Sequence, residues 1–402
     1  MESNRALASP RRTESNIVAL VGSRPRIAIL KPGGLGDFLA ITPALRALRR
    51  ALPEAHITLI GRPDMVSFCQ RYPQLDVVVL CPPYAGITSS GPTHQHRAWK
   101  LFSFFQAQQL DLALQWAGNG LRSNAFVNHL GARFTAGFYV PGAEKLDLSL
   151  PFDDHRHEVF RYLDCLRALG VDADGSDMEV PLLSDDFAEL ERALPQLSDA
   201  PGACLGINPT SGDPKRRWPA ERFARVADTL LESRGFTTAI LVGGPDQRDQ
   251  TKAVVDRMHR ADRVVDLAGL IGLGGLAALF AQLDLLITND SGPAHLAAAV
   301  GTPSVIIFGA GPPARWSPTS WLWQRPVADW HSPCRQFVPR CCEDLPLARC
   351  LDHVMVEQVL AEADHLIHLA EVLTPPNIDA GTQLAGQRRV LFERKKSGEP
   401  RG

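Results

Sequence analysis

The 402-residue chain has no long apolar run. Nowhere do about 18 residues pass without a charge, a proline or a glycine, which argues against a membrane-spanning helix. Neither sign of charge is in excess: 42 Lys and Arg against 44 Asp and Glu leave a formal net charge of −2. Bulk charge therefore predicts no nucleic-acid partner and no membrane partner. Arg5, Arg11 and Arg12 precede only a short apolar run at 17–21, too brief for the core of a signal peptide. Residues 1–25 are expected to form a disordered extension, and the protein is expected in the cytoplasm. Cysteine pairs at metal-binding distance are missing too. Cys69, Cys81, Cys165 and Cys204 are scattered and read as ordinary buried thiols. Cys334, Cys341, Cys342 and Cys350 cluster as C-x6-C-C-x7-C. That spacing fits a loop of thiols or one local disulfide better than zinc.

Several chemistries lack their motifs. There is no G-x-x-x-x-G-K-[ST], so no Walker A loop. The turn after the first apolar run holds Gly34-x-Gly36, but Leu39 stands at the third glycine of a dinucleotide fingerprint. The acid that should end the second strand is replaced by Gly61-Arg62; an arginine there suits a 2′-phosphate, so an NADP-dependent oxidoreductase stands as an alternative. Ser291 and His295 form no nucleophile elbow, because G-x-S-x-G is absent. The Asp172–Asp174 pair lies in an acidic connecting stretch, and "DADGSD" has Leu183 where an EF-hand needs glutamate. His155 and His157 have no distant partner in sight. No metal is expected.

What the chain does have is alternation. Apolar runs at 26–30, 56–60, 77–80 and 112–115 read as strands, with a helical pattern at 42–52. An acidic, turn-rich stretch at 172–201 marks a boundary. The pattern then restarts, with strands at 204–208, 237–242, 264–267, 284–288 and 304–308, and helices at 220–234, 273–282 and 294–300. Such alternation predicts an α/β protein with two doubly wound, Rossmann-like domains facing a central cleft. The expected division is 26–190, 202–350, a helix at 351–373 and a flexible polar tail at 374–402. The tail ends in "RRVLFERKKSGEPRG", whose bases offer a second reading as attraction to an anionic membrane surface.

The chemistry concentrates at strand ends. Asp37 sits in "KPGGLGDF", a glycine-rich turn entering a helix. Glycines let the backbone approach a substrate, and free N–H groups keep an aspartate ionised. An ionised carboxylate in a cleft accepts a proton from a hydroxyl. The plainer reading is an N-cap. In the second half, "NPTSGDPKRRWP" sets Thr210, Ser211, Lys215 and Arg216 after a strand, the materials of a diphosphate site. Asp246 in "LVGGPDQRD" stands where a carboxylate meets ribose hydroxyls. In "TNDSGPAHLAAAVGTP", Ser291, Gly292 and the following helix face an anion, with His295 on the first turn. One domain thus offers a base and the other a nucleotide-diphosphate site. That pairing suits transfer of a sugar from a nucleotide to a hydroxyl. A catalytically silent nucleotide-binding partner in glycan assembly is the remaining alternative.

These motifs resemble glycosyltransferase family 9, the ADP-heptose:lipopolysaccharide heptosyltransferases and their relatives. The resemblance covers about residues 26–372. It rests on "GGLGDFLAITPALRALRRALPEAHITLIGRP", "DPKRRWPAERFARVADTL" and "DLLITNDSGPAHLAAAVGTPSVIIFG", and the stretch "HSPCRQFVPRCC" is similar to the family as well. It implies a GT-B fold and inverting, metal-independent transfer, with a nucleotide sugar, ADP-heptose, as co-substrate. The implied acceptor is a lipopolysaccharide core or related glycan at the inner face of the membrane. Within the pattern Asp37 matches the catalytic aspartate. Thr210 and Ser211 match donor-phosphate hydroxyls, Asp246 an acid near the ribose, and Asp290, Ser291, Gly292 and His295 the motif around the diphosphate. The acceptor is expected at Gly34, Gly36 and Arg122. The last helix is expected to cross back onto the first domain. One departure stands out: the family's K-x-W-P has Arg216 at the lysine position and Lys215 beside it. A planar fork and a point charge are not equivalent, so either cation is a candidate for the diphosphate. The "GFYVPG" stretch and the long tails read as marks of a divergent branch.

Overall fold

A computed structural model describes residues 17–88, 92–195, 197, 202–320, 322–331 and 349–373. The apolar runs become two six-stranded parallel sheets. The first holds β1 (Arg26–Lys31), β2 (His56–Gly61), β3 (Val77–Leu80), β4 (Leu112–Gln115), β5 (Phe134–Tyr139) and β6 (Leu148–Pro151), in the order β3-β2-β1-β4-β5-β6. The second holds β7 (Ala203–Asn208), β8 (Phe236–Leu241), β9 (Val264–Asp266), β10 (Leu285–Asn289), β11 (Ser304–Phe308) and β12 (Gln324–Ala328), in the order β12-β11-β10-β7-β8-β9. Both sheets are doubly wound, as expected. In each the order reverses beside the first strand, between β1 and β4 and between β7 and β10. Loops leaving the carboxyl ends diverge there and open a crevice.

The strands are apolar on both faces because helices cover both. Successive side chains alternate. Ile27 and Ile29 of β1 point into a cluster with Leu45, Leu48 and Tyr162, while Ala28 and Leu30 meet Phe102, Phe105 and Phe126 on the other face. Leu205 and Ile207 of β7 join Phe223 and Leu230, while Cys204 turns the other way. The first of these clusters does not stop at one sheet. It runs from Leu39 and Ile41 to Leu279, Phe280, Leu296 and Ala297, so one apolar core crosses from the first unit to the second.

Four features differ from expectation. Part of the presumed disordered extension, Ile17–Val21, is a short helix with Ile17 and Val21 buried, because its two apolar ends fall one turn apart and seal the first core. Strands β5, β6 and β12 widen each sheet beyond the strands read from the sequence. The acidic boundary stretch contains a helix, Ser184–Ala193, whose Asp186 pairs with Arg71 at 2.7 Å while Glu189 accepts from the N–H groups of Gly272 and Gly275. Among the described residues the last helix, Val356–Leu373, packs on the second unit rather than the first. Val356, Val359, Ala363 and Leu366 pack with Leu205, Ile207 and Val305 of the second sheet, and Glu362 and Asp364 pair with Arg325 and Arg234 of that same unit. Of the cysteine cluster only Cys350, buried, lies among the described residues; Cys334, Cys341, Cys342 and the tail lie outside them.

Candidate active site

The loop after β1 brings Asp37 to the crevice between β1 and β4. Residues 35–39 form one short helix with Gly34 as its extended N-cap. Asp37 is not the cap; it lies in the first turn, where partial positive charge favours an anion. Gly33 makes room for it, since a Cβ there would lie 2.3 Å from Asp37 Cβ. The Asp37 side chain remains 40% exposed, and its Oδ1 accepts from Lys31 Nζ at 3.0 Å.

Lys31 ends β1 and is almost sealed from water, at 5% exposure. A buried ammonium is costly unless paired. Here it has three partners: Asp37, the Tyr162 hydroxyl at 2.6 Å and the Tyr162 ring at 4.8 Å. Burial favours the neutral amine, but Asp37, Tyr162 and Glu158 outweigh it and hold Lys31 charged, well above the usual lysine range. Burial likewise pushes the Asp37 carboxyl up. The Lys31 charge, its hydrogen bond, a backbone hydrogen bond at Gly34 and His295 pull it down further, so Asp37 is ionised at neutral pH. The Tyr162 hydroxyl donates onward to Glu158 Oε2 at 2.9 Å. Glu158 Oε1 in turn accepts from Arg315 Nε at 2.8 Å and Nη2 at 2.6 Å. Arg315 belongs to the second unit.

The second unit presents its own crevice, between β7 and β10. Its loops are locked by two buried asparagines. Asn208 donates to Thr288 Oγ1 and Ser291 Oγ, and its Oδ1 accepts from the Thr210 hydroxyl at 2.8 Å. Asn289 accepts from Trp218 N–H and donates to the Pro209 carbonyl. Thr210 and Ser211 are therefore held at the crevice floor, buried, with Thr210 Cγ2 against Gly243. Ser291 caps the helix Gly292–Ala299 in extended conformation. Lys215 and Arg216 stand on a short turn, Pro214–Arg216, half-buried beside them. Asp246 is exposed on the turn after β8. Asp290 differs from the others: it is 2% exposed, pairs with Arg216 at 3.4 Å, and packs so closely on Gly311 that a Cβ there would lie 2.3 Å from its Oδ2.

The two crevices meet. A Cβ on Gly36 would lie 2.7 Å from His295 Cδ2, and one on Gly292 would lie 3.0 Å from Leu35 Cβ. The helices Leu35–Leu39 and Gly292–Ala299 thus oppose their first turns, and Asp37 lies beside the N-terminus of the second unit's helix. His295 is buried and its imidazole is pushed down to about 4 by desolvation, against the pull of Asp37, so it is neutral at neutral pH. Arg122 begins the helix after β4, exposed, with its stem over Gly86. Arg62, the residue that kept an NADP reading open, is turned onto Asp64 at 2.5 Å. His157 caps its helix and bonds the Ser317 carbonyl of the second unit at 2.5 Å.

Sequence reasoning did not single out Lys31, Tyr162, Glu158, Arg315, Asn208 or Asn289. The available signals were slight: a lysine closing an otherwise apolar strand, and asparagines closing two others. Tyr162 and Glu158 share a helix face four residues apart, but nothing local points that face at Lys31.

Comparison with known proteins bears on the family and the fold. The chain is 26% identical over 363 residues to lipopolysaccharide heptosyltransferase 3 of Escherichia coli K12, covering 87% of this chain and 99% of that one. Its fold is similar to that of a glycosyl transferase family 9 protein from Veillonella parvula, with a TM-score of 0.73, 24% identity and coverage of 86% and 97%. It is also similar to E. coli heptosyltransferase WaaC with ADP, at a TM-score of 0.61, 16% identity and coverage of 85% and 99%. Both likenesses place the two facing sheets in the GT-B architecture. The sequence pattern of glycosyltransferase family 9 (heptosyltransferase) matches residues 98–338, more than half of the chain, and the protein belongs to that family.

Proposed function

We propose that this glycosyltransferase moves heptose from ADP-heptose to a hydroxyl of a lipopolysaccharide core or related glycan, with inversion and without a metal. The observation that carries the reading is the ionised Asp37, held by Lys31 and placed beside the second unit's helix N-terminus. In one displacement, the acceptor oxygen attacks the anomeric carbon from the face opposite ADP. Its proton passes to Asp37, the new C–O bond forms, and the bond to the diphosphate breaks with its electron pair leaving on ADP. Lys215, Arg216, the Ser291 and Thr210 hydroxyls and the N–H groups at Gly292 supply the positive potential that receives that charge. Asp246 is positioned for the ribose, and Arg122 with the Gly34 and Gly36 backbone for the acceptor. The names of the relatives support heptose and lipopolysaccharide, and the WaaC structure with ADP supports the base. The NADP alternative gives way to family membership and to an Arg62 already paired with Asp64.

The reading includes work at an anionic membrane face. No described helix is long and apolar enough to cross a membrane. The helix Gln95–Gln108, however, exposes Trp99 and Phe104 beside Arg97 and Lys100, and residues 77–110 contain no Asp or Glu. An apolar and basic face of that kind suits the headgroup region.

The test is transfer from ADP-heptose to a heptose-deficient core acceptor, with and without EDTA, with the anomeric configuration of the product read by NMR. Asp37→Asn should retain ADP binding by calorimetry and lose at least about a hundredfold in kcat. Full turnover by that variant would remove Asp37 from the role of base. ADP binding without transfer to any core acceptor would favour the silent-partner alternative.

A further inference from the structure

We propose that Tyr162 and Glu158 of the first domain and Arg315 of the second are positioning residues that complete the Asp37–Lys31 pair. This inference rests on the reading of Asp37 as the base. The chain of contacts is continuous: Arg315 to Glu158 at 2.6 Å, Tyr162 to Glu158 at 2.9 Å, Lys31 to Tyr162 at 2.6 Å and Lys31 to Asp37 at 3.0 Å. Every interior member is nearly sealed from water: Glu158 is 4% exposed, Tyr162 2% and Lys31 5%. Water therefore cannot screen one charge from the next.

Lys31 is the only cation hydrogen-bonded to Asp37 among the described residues, and it also serves Glu158 through the Tyr162 hydroxyl. The two carboxylates compete for it. Arg161 lies 3.6 Å from Glu158 on the same helix, which is a partial offset. Arg315 supplies the rest with a two-pronged contact, its guanidinium over the rings of Phe152 and Trp316. With Glu158 occupied, Lys31 is left to Asp37. Arg315 arrives on a segment that docks on the first unit at three other points: Arg315 to Asp154, Ser317 O to His157, and Thr319 to the Ser176 carbonyl. The base is thus complete only while the donor domain is docked. That ties proton abstraction to donor-domain docking.

The titratable groups around Asp37 are Lys31 from β1, Arg62 after β2, Tyr162 from the helix Glu158–Ala168 and His295 from the opposing helix; Glu158 reaches it only through Tyr162 and Lys31. His295 itself faces His157 and Arg216. Changing the Glu158–Arg315 pair leaves the residues that touch Asp37 in place, so its sign is readable. Arg315→Gln leaves Glu158 under-compensated and adds negative potential at Asp37. The acid limb of kcat should move up by about half a pH unit. Glu158→Gln leaves Arg315 uncompensated, and the same limb should move down. The double variant should return toward the parent. Each single variant should lower kcat severalfold, with the KM for ADP-heptose within twofold of the parent, and Arg315→Lys should recover part of the loss. Tyr162→Phe keeps the ring contacts and removes only the hydroxyl, and it guards against a single variant that fails to fold. It should lower kcat about tenfold with donor KM unchanged. Parent kcat in Tyr162→Phe, or single variants whose acid limbs move in the same direction or not at all, overturns the inference. Absence of transfer by the parent protein instead overturns the assigned function, so the two failures are distinct.

Discussion

At position 31 a lysine closes an apolar strand with its amine sealed from water, and much of the site's behaviour follows from that placement. Its charge is stabilised only by what it touches, and removing it takes from the half-exposed Asp37 the cation that does most to hold it ionised. Lys31→Met should raise the Asp37 carboxyl toward and above the ordinary aspartate range, and the acid limb of kcat should rise with it. The expected readout is a pH–rate profile shifted upward, with donor affinity retained. Gly36 is the second residue whose identity is dictated by contact. Gly36→Ala sets a methyl 2.7 Å from the His295 ring, which is itself buried and has little room to retreat. We expect a loss of about 1–3 kcal/mol in stability, measured by denaturant unfolding, and a raised donor KM as the opposing helices separate. At this scale the sequence was partly legible. Asp37, Thr210, Ser211, Ser291 and Gly292 stand out because strand-end loops announce themselves through glycine, hydroxyls and cations. Lys31, Glu158 and Arg315 do not. Their partnership joins positions up to 284 apart in the chain, and no local pattern encodes it. The pairing of Asp290 with Arg216 is equally invisible in the sequence, because burial and not the loop motif brings the two together.

Helices and strands were legible where one period dominated. β1, β7 and β10 read clearly because they are central and apolar on both faces. β5 and β6 escaped because "FTAGFY" and "LSLP" mix small, polar and aromatic residues with no run to mark them. The period of the last helix shows which face is buried but not against what, and among the described residues that face meets the second unit. The helix Gln95–Gln108 shows the converse, a face left uncovered. Its buried side, Ala98, Phe102 and Phe105, packs on the first sheet, while Trp99 is 67% exposed and Phe104 49%. Arg97→Glu with Lys100→Glu should weaken cosedimentation with phosphatidylglycerol-containing vesicles by at least about tenfold, and neutral phosphatidylcholine vesicles should bind neither form strongly. Trp99→Ala with Phe104→Ala should weaken the same binding without its salt dependence changing. Equal binding by parent and variants would leave this face without the membrane role given to it.

Across the whole molecule, the two units share a core and a seam of charge, so their docking and their stability are linked to pH. His295 lies in that seam, neutral and pushed down to about 4, whereas an unfolded chain protonates it near 6.5. Below 6.5 the unfolded state therefore takes up a proton that the native state refuses. Stability is full above that value and falls as pH drops from about 6.5 to about 4, by about 3 kcal/mol from this group alone. The depressed carboxyls of Asp37 and Glu158 extend the loss at lower pH in the same direction. Denaturant titrations across this range should show the slope, and His295→Gln should flatten it between 6.5 and 4. The architecture itself was the most legible level, because two cycles of strand and helix predict two doubly wound sheets whatever the details of their edges. The seam was the least legible, being a property of two surfaces meeting. It also contains an indole. Trp316 lies between Arg315 and Ser317, the two residues that contact Glu158 and His157 of the first unit, with the Arg315 guanidinium 5.3 Å over its ring and the His295 imidazole 6.2 Å away, whereas Trp116 and Trp218 are buried within the first and second units respectively. Separation of the domains breaks the Arg315–Glu158 and Ser317–His157 contacts on either side of Trp316, so the protein carries an intrinsic fluorophore whose surroundings follow the opening and closing of its own cleft.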